Sequence, residues 1–449
     1  MDQGIAILGT ELGADVVMTD PDVMDAFRRD RAMTIEPGHP LAVVRARGTA
    51  DVATTLRIAD EHRIPVVTRG AGTGLSGGAA AIDGSITLST RAMTDIDIDP
   101  GAMIATVRPG ALNAEVKAAA AEHGLWYPPD PSSFEICSIG GNLATNAGGL
   151  CCVRYGVTTD YVLGMEVVLA GGRVLRLGGT TVKDVAGLDL KRLFVGSEGT
   201  LGVMTEASLR LRSMPPPVST VVATFPDTVA AGRAVTRIMS SVRPSVLELM
   251  DGAAVAAVDR VKSMGLEDVG ALLLAQTDVG SPDAAAMARD VETEGATYVA
   301  VTDDADEGDM FMAARRMAIP CVERLGTVLI EDVGVPIPRI PDLLGAVASV
   351  AERHGTAIPV IGHAGDGNFH PLVTFDPQDA SARQRAASAF DDVMTAALDL
   401  GGTITGEHGV GSLKVRHLGE QLGPDVSAVS RSIKLALDPN DILNPGKWL

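Results

Sequence analysis

Two glycine-framed segments carry the residues best suited to chemistry. They are Gly362-His363-Ala364-Gly365-Asp366-Gly367-Asn368-Phe369-His370 and Gly406-Glu407-His408-Gly409, and together they hold three of the chain's eight histidines. Two imidazoles and a carboxylate suit a divalent cation that keeps a position open for substrate, so His363, His370 and Glu407 form the candidate metal set. His408 remains to move protons near neutral pH. On one continuous strand His363 and His370 would face opposite sides. A glycine turn between them would instead make them cross-strand neighbours, with Cβ atoms about 4.5–5.5 Å apart. Glu407 and His408 can serve one site only if Gly406 and Gly409 bend the chain between them.

A chain of 449 residues exceeds one ordinary core and implies two or three domains. With 46% apolar and 21% charged residues it belongs among globular proteins. A net charge of −20 argues against a phosphate-backbone partner and against an electrostatic dock on anionic lipid. The longest apolar runs, such as Ala271-Leu272-Leu273-Leu274-Ala275, are strand-sized, so no transmembrane segment is expected. Met1-Asp2-Gln3-Gly4 lacks the basic start of a signal peptide. Cys137, Cys151, Cys152 and Cys321 show no C-x-x-C spacing. Reduced thiols and a cytoplasmic location are the expectation.

Met214-Pro215-Pro216-Pro217 forces an extended connector. It divides an expected cofactor domain, residues 1–214, from a substrate domain, residues 218–425, with the tail 426–449 packing back on the first. Downstream of the prolines the expected order is strand (Thr220 to Phe225), helix (Asp227 to Ser241), strand (Ser245 to Met250), strand (Ala271 to Thr277), helix (Pro282 to Glu294), strand (Ala296 to Val301). That is βαββαβ, a ferredoxin-like unit. A second run repeats it: strand Thr327 to Val333, helix Ile340 to His354, strands Ile358 to Gly362 and Phe369 to Phe375, helix Ala380 to Leu400, strand Thr403 to Thr405. The histidine motif falls at the central hairpin of this second unit.

The upstream region carries glycine loops between short β-branched runs. Thr68-Arg69-Gly70-Ala71-Gly72-Thr73-Gly74-Leu75-Ser76-Gly77-Gly78 contains a formal G-x-G-x-x-G, but no apolar-periodic helix opens after it, which rejects a Rossmann reading. Closely spaced backbone N–H groups beside Arg69 could nest a diphosphate. Pro128-Pro129-Asp130-Pro131-Ser132-Ser133 with residues 139–149 forms a second surface of small side chains, and Val195-Gly196-Ser197-Glu198-Gly199-Thr200-Leu201-Gly202-Val203 a third. Three such surfaces suggest a large cofactor with a phosphate end and a planar end.

These loops resemble those of the FAD-linked oxidase family, whose flavin domain is of the vanillyl-alcohol-oxidase type. The paired histidine motifs, with Asp438-Pro439 and Asn444-Pro445-Gly446-Lys447, resemble its D-2-hydroxyacid dehydrogenase branch, which includes D-lactate dehydrogenase, D-2-hydroxyglutarate dehydrogenase and the glycolate oxidase flavin subunit. The resemblance runs from about Pro37 to Leu449. It implies an α+β fold: a two-part FAD-binding domain and a cap domain of duplicated ferredoxin-like units. It implies that Arg69, Gly70, Ala71, Gly72, Thr73, Gly74 and Leu75 meet the FAD diphosphate. Pro131, Ser132, Gly140, Gly141, Asn142, Thr145, Glu198, Gly199, Gly202, Val203 and Asn444 would meet the remainder. No histidine lies between residues 63 and 122, so noncovalent FAD is expected.

The implied reaction is oxidation of a 2-hydroxy acid to the 2-oxo acid, with hydride passing to flavin. His363, His370 and Glu407 would hold zinc or manganese to acidify the hydroxyl, and His408 would act as base. Arg315, in a segment resembling the family's W-x-x-R, is the candidate for the substrate carboxylate; a solvated helix arginine is the competing reading. Ile330 precedes Glu331-Asp332 where the dicarboxylate enzymes carry a lysine, which favours D-lactate or glycolate over D-2-hydroxyglutarate. The electron acceptor is not specified, and a homodimer is left open. A metal-dependent hydrolase is the alternative from another class, but it leaves the glycine loops unexplained. A non-catalytic FAD-binding subunit is a third reading.

Overall fold

The computed structural model describes residues 2–448 except Met264 and Glu267, so the outer limits of the expected domains, Met1 and Leu449, lie outside the described residues. The chain divides into two units. One comprises Met1–Gly148, Val157–Met214 and Glu407–Leu449; the other comprises Gly149–Gly156 and Pro215–Gly406.

The first unit contains two main sheets. One has the order Val17–Met18, Ala42–Arg45, Ile86–Ser89, Val66–Arg69. The last three of these strands run parallel, and helix Thr49–His62 makes the crossover. Parallel strands covered by helix read as continuous apolar runs. Accordingly Val43, Val44, Val66, Val67, Ile86 and Leu88 are buried beside Leu56 and Ile58 of the helix. Burying each such side chain contributes roughly 1.5–3 kcal/mol, an upper bound because unfolded chains are partly compact. The tail joins this layer through Val66 N to Ile442 O (2.7 Å) and Asn444 N to Val66 O (2.8 Å).

The second sheet is antiparallel, in the order Ile96–Asp99, Ile104–Val107, Val203–Arg210, Val162–Val168, Val174–Gly178. Its core includes Tyr127, Tyr161 and Phe194, with Ile433 and Leu437 of the last helix packed against it.

The other unit is built on one sheet, ordered Tyr298–Thr302, Ser219–Phe225, Ala271–Thr277, Val246–Asp251, Val360–His363, Asn368–Phe375, Thr327–Ile330. The first four strands carry the 4-1-3-2 order of a ferredoxin-like unit. The rest mirror it, and the two halves meet where Val246–Asp251 pairs with Val360–His363. The central strands are buried on both faces, which explains the unbroken apolar run Leu272-Leu273-Leu274.

Three expectations for this unit need correction. Helix Gly252–Lys262, capped by Asp251 through Ala254 N, is inserted in the chain between strands Val246–Asp251 and Ala271–Thr277, which were expected to follow one another directly. The strand expected over Thr327 to Val333 is interrupted at Glu331-Asp332 and resumes as Val333–Gly334. The strand expected over Thr403 to Thr405 is a single bridge, Thr403 to Gly334. Both departures surround Asp332, whose carboxylate takes hydrogen bonds that a regular ladder would supply from backbone. Among the described residues no helix is long and apolar enough to cross a membrane, and none of the four cysteines forms a disulfide.

Candidate active site

In the first unit the glycine loop leaves strand Val66–Arg69 and turns over Ser138. The Ser138 hydroxyl accepts from Ala71 N (3.2 Å) and, as cap of helix Ile139–Thr145, from Gly141 N (3.4 Å). A Cβ on Gly70 would come within 2.4 Å of that hydroxyl, so the approach needs glycine. Gly140 is constrained likewise, since its Cβ would meet Pro109 at 2.6 Å.

A cavity of about 1300 Å³, part of it open to solvent, lies over these loops. Its wall includes Gly70 through Leu75, Pro131, Ser132, Gly140, Gly141, Asn142, Thr145, Glu198, Gly199, Gly202 and Val203, and also Glu407 and His408. Two candidates, Arg69 and Asn444, stand behind the wall. The buried Arg69 guanidinium sits under Gly72, whose Cβ would meet Nη2 at 2.2 Å; Nη1 has no hydrogen-bond partner among the described residues. Burial lowers its pKa against the opposing pull of Asp30, and an anion above the loop would further offset that cost. Asn444 donates to Gly78 O (2.9 Å) and Glu198 O (2.8 Å), tying the tail to two loops. Small-residue walls, glycines where Cβ atoms would collide and a buried cation together fit a dinucleotide.

Glu198 has a left-handed φ of +51°, which costs an ordinary L residue about 1–2 kcal/mol. Its buried carboxylate accepts from Val410 N (2.7 Å) and Gly411 N (2.8 Å). Burial pushes this carboxyl up to about 7, against the pull of those two N–H groups and of Lys447. The Ser76 hydroxyl faces His408 O (2.7 Å) and Gly409 O (2.8 Å) from the glycine loop. Gly409 provides the bend with φ +86°. Gly406 is needed for a different reason: its Cβ would strike Asn368.

In the second unit the histidines meet diagonally. The register pairs His370 with Ile361 and His363 with Asn368, so the two are offset rather than directly opposite as expected. The longer reach of diagonal side chains still brings the ring centroids to 5.2 Å, edge to face. His363 Nδ1 lies 2.7 Å from Oε1 of Glu248, the residue directly across on the neighbouring strand. His370 Nδ1 lies 3.3 Å from Glu331 O and 3.7 Å from Asp332 Oδ1. Asp332 Oδ2 accepts from Thr405 Oγ1 (2.6 Å) and Gly406 N (2.9 Å). Both rings are thus oriented through Nδ1, which makes Nε2 the nitrogen a cation would take.

Arg315 is neither a solvated helix arginine nor an unengaged cation. It is buried, with Nη2 2.7 Å from Glu248 Oε2. One arm of the guanidinium is committed to Glu248, while Nε lacks a hydrogen-bond partner among the described residues. Glu248, Asp332, Ser76 and Ser138 escaped the sequence reading. For Glu248 the only signal was an acid between apolar neighbours, Leu247 and Leu249, inside strand Val246–Asp251.

The two units define an FAD-binding oxidoreductase of the vanillyl-alcohol-oxidase type. Residues 40–178 match the FAD binding domain, and residues 214–448 match the C-terminal domain of FAD linked oxidases. The chain is 40% identical over 419 residues to glycolate oxidase subunit GlcD of Bacillus subtilis, covering 91% of this chain and 88% of that one. It is 34% identical to D-lactate dehydrogenase of Archaeoglobus fulgidus, covering 94% and 95%. The solved structure of p-cresol methylhydroxylase shares the fold, with a TM-score of 0.82 at 19% identity over 99% of this chain and 96% of that one. The chain belongs to the FAD-linked oxidase family, in its D-2-hydroxyacid dehydrogenase branch.

Proposed function

We propose that the protein oxidises a small D-2-hydroxy monocarboxylate of the glycolate or D-lactate kind to its 2-oxo acid, with noncovalent FAD and a divalent cation, zinc or manganese. The observation that carries this reading is the His363 ring, aimed by Glu248 through Nδ1 and set beside His370. Buried carboxylate–imidazole pairs of this kind are how metal-ligating histidines are oriented.

The loops around Gly70 to Leu75 would hold the diphosphate, and FAD when bound supplies a two-electron acceptor. His363 and His370, with Glu407 as the third ligand suggested by the G-E-H-G motif, would hold the cation that lowers the cost of the substrate alkoxide. His408 takes the hydroxyl proton. Arg315, braced by Glu248, offers its remaining donors to the substrate carboxylate. Ile330, apolar and ahead of Glu331-Asp332, supplies no cation for a second carboxylate, which favours a monocarboxylate.

The test is anaerobic bleaching of flavin absorbance by a panel of D- and L-2-hydroxy acids, including D-2-hydroxyglutarate. Bleaching by D-lactate or glycolate is expected, with suppression by a chelator and recovery on adding zinc or manganese. Flavin that stays oxidised with every acid would end this reading, and turnover indifferent to chelation would remove the cation from it.

A further inference from the structure

The turn carrying Glu407 and His408 is held on the first unit by a residue whose own backbone is strained. Glu198 adopts φ +51° between Gly196 at +82° and Gly199 at +73°. Its N donates to Ala144 O (2.9 Å) of the helix beside the cavity, and its O accepts from Asn444 (2.8 Å) of the tail. Its carboxylate takes both N–H groups of Val410-Gly411. Packing there is close: a Cβ on Gly409 would lie 2.9 Å from Glu198 Oε1, and one on Gly411 would lie 2.1 Å from Ser76 O. Such strain persists only where surrounding contacts over-determine it, and it concentrates at functional sites.

We infer that Glu198 is a positioning residue for the reaction, fixing the His408-bearing turn to the cofactor loops through its bonds to Val410 and Gly411. This rests on the proposed role of His408. A cavity-wall residue that only shaped the cofactor site would need no acceptor pair on a segment more than two hundred positions away. Ser76 adds to the clamp, since its hydroxyl faces the carbonyls of His408 and Gly409.

The experiment uses the full-length flavin-loaded protein and its Glu198→Gln and Glu198→Asp variants. An amide side chain presents a donor where one of the two N–H groups needs an acceptor, and aspartate is one methylene short. Because Glu198 also lines the cofactor cavity, every rate for Glu198→Gln is taken per bound flavin. The limiting rate of anaerobic flavin reduction by D-lactate or glycolate should fall at least tenfold, with the substrate concentration giving half that rate within about twofold. Glu198→Asp should recover part of the loss. Backbone amides of Val410 and Gly411 should exchange hydrogen at least tenfold faster in Glu198→Gln. A reduction rate per bound flavin equal to wild type would overturn the inference, as would activity lost only in proportion to flavin. If no acid bleaches the wild-type flavin, the proposed function fails and amide exchange decides about Glu198 alone: unchanged protection overturns the clamp. Should Glu198→Gln not fold, Ser76→Ala carries the same readouts, with a smaller slowing of reduction expected and a wild-type rate overturning the inference.

Discussion

His363 Nδ1 lies 2.7 Å from Glu248 Oε1, and the other oxygen of that carboxylate lies 2.7 Å from Arg315 Nη2. One buried acid therefore aims an imidazole and anchors a guanidinium. Glu248→Gln keeps the shape but weakens the charge that orients the ring. Zinc affinity, measured by competition with a chromophoric chelator, should fall 10–100-fold, the usual effect of losing such a partner. Wild-type affinity would mean that Glu248 serves only to neutralise Arg315.

Arg315→Ala should act on stability as well as on substrate. It leaves the Glu248 carboxylate buried without its cation, a change that typically costs 3–5 kcal/mol. Urea unfolding should show a loss of that order, and Arg315→Ala combined with Glu248→Gln should be more stable than Arg315→Ala alone. Additive losses would show that the pair is not energetically coupled.

His408→Asn removes the proposed base without disturbing the backbone bonds of the turn. Flavin content should stay constant, while the rate of flavin reduction falls about 10²–10⁴-fold. A loss below tenfold would assign the proton to another group.

Gly70 and Gly9 form a matched test of glycine's role. At Gly70 a Cβ would lie 2.4 Å from Ser138 Oγ, the shared anchor of loop and helix. Gly70→Ala should weaken FAD binding to apoprotein at least tenfold in a fluorescence titration. Gly9, inside helix Gln3–Leu12 with nothing within 4 Å of its Cβ position, should tolerate Ala and stabilise the protein by roughly 0.5–1 kcal/mol. Equal effects at both positions would refute the cradle.

Stability should also depend on pH through Asp251, the cap of helix Gly252–Lys262. Burial raises its carboxyl to about 6 from an ordinary 3.8, despite backbone hydrogen bonds led by Ala254. A raised folded pKa means that the folded state binds the extra proton. The stability linked to that proton is therefore complete below pH 3.8 and is lost as pH rises through 6. The change is at most about 3 kcal/mol. Asn caps helices nearly as well and does not titrate. Asp251→Asn should therefore gain on wild type as pH rises across this window; a pH-independent difference in unfolding free energy would contradict the assignment.

Much of this protein was legible before any coordinates. The βαββαβ order, the diphosphate-sized glycine loop, the rejected Rossmann helix and the His363/His370 and Glu407/His408 motifs are all local. Periodicity, turn residues and glycine spacing act over a few positions, so a chain displays them directly. The departures are equally physical. Glu331-Asp332 interrupts a strand because Asp332 takes bonds from Thr405 and Gly406, some seventy positions on. Nothing local singled out Glu248; strand register put it across from His363. Nothing on Arg315's own helix announces that Glu248 shares its guanidinium. Glu198 read as a cofactor contact, and its carboxylate also closes on Val410 and Gly411, 212 and 213 positions away. Local order determined which elements form and where glycine is needed. Strand register and burial decided which charges share a hydrogen bond, because those pairings join segments whose separation along the chain carries no trace of their meeting.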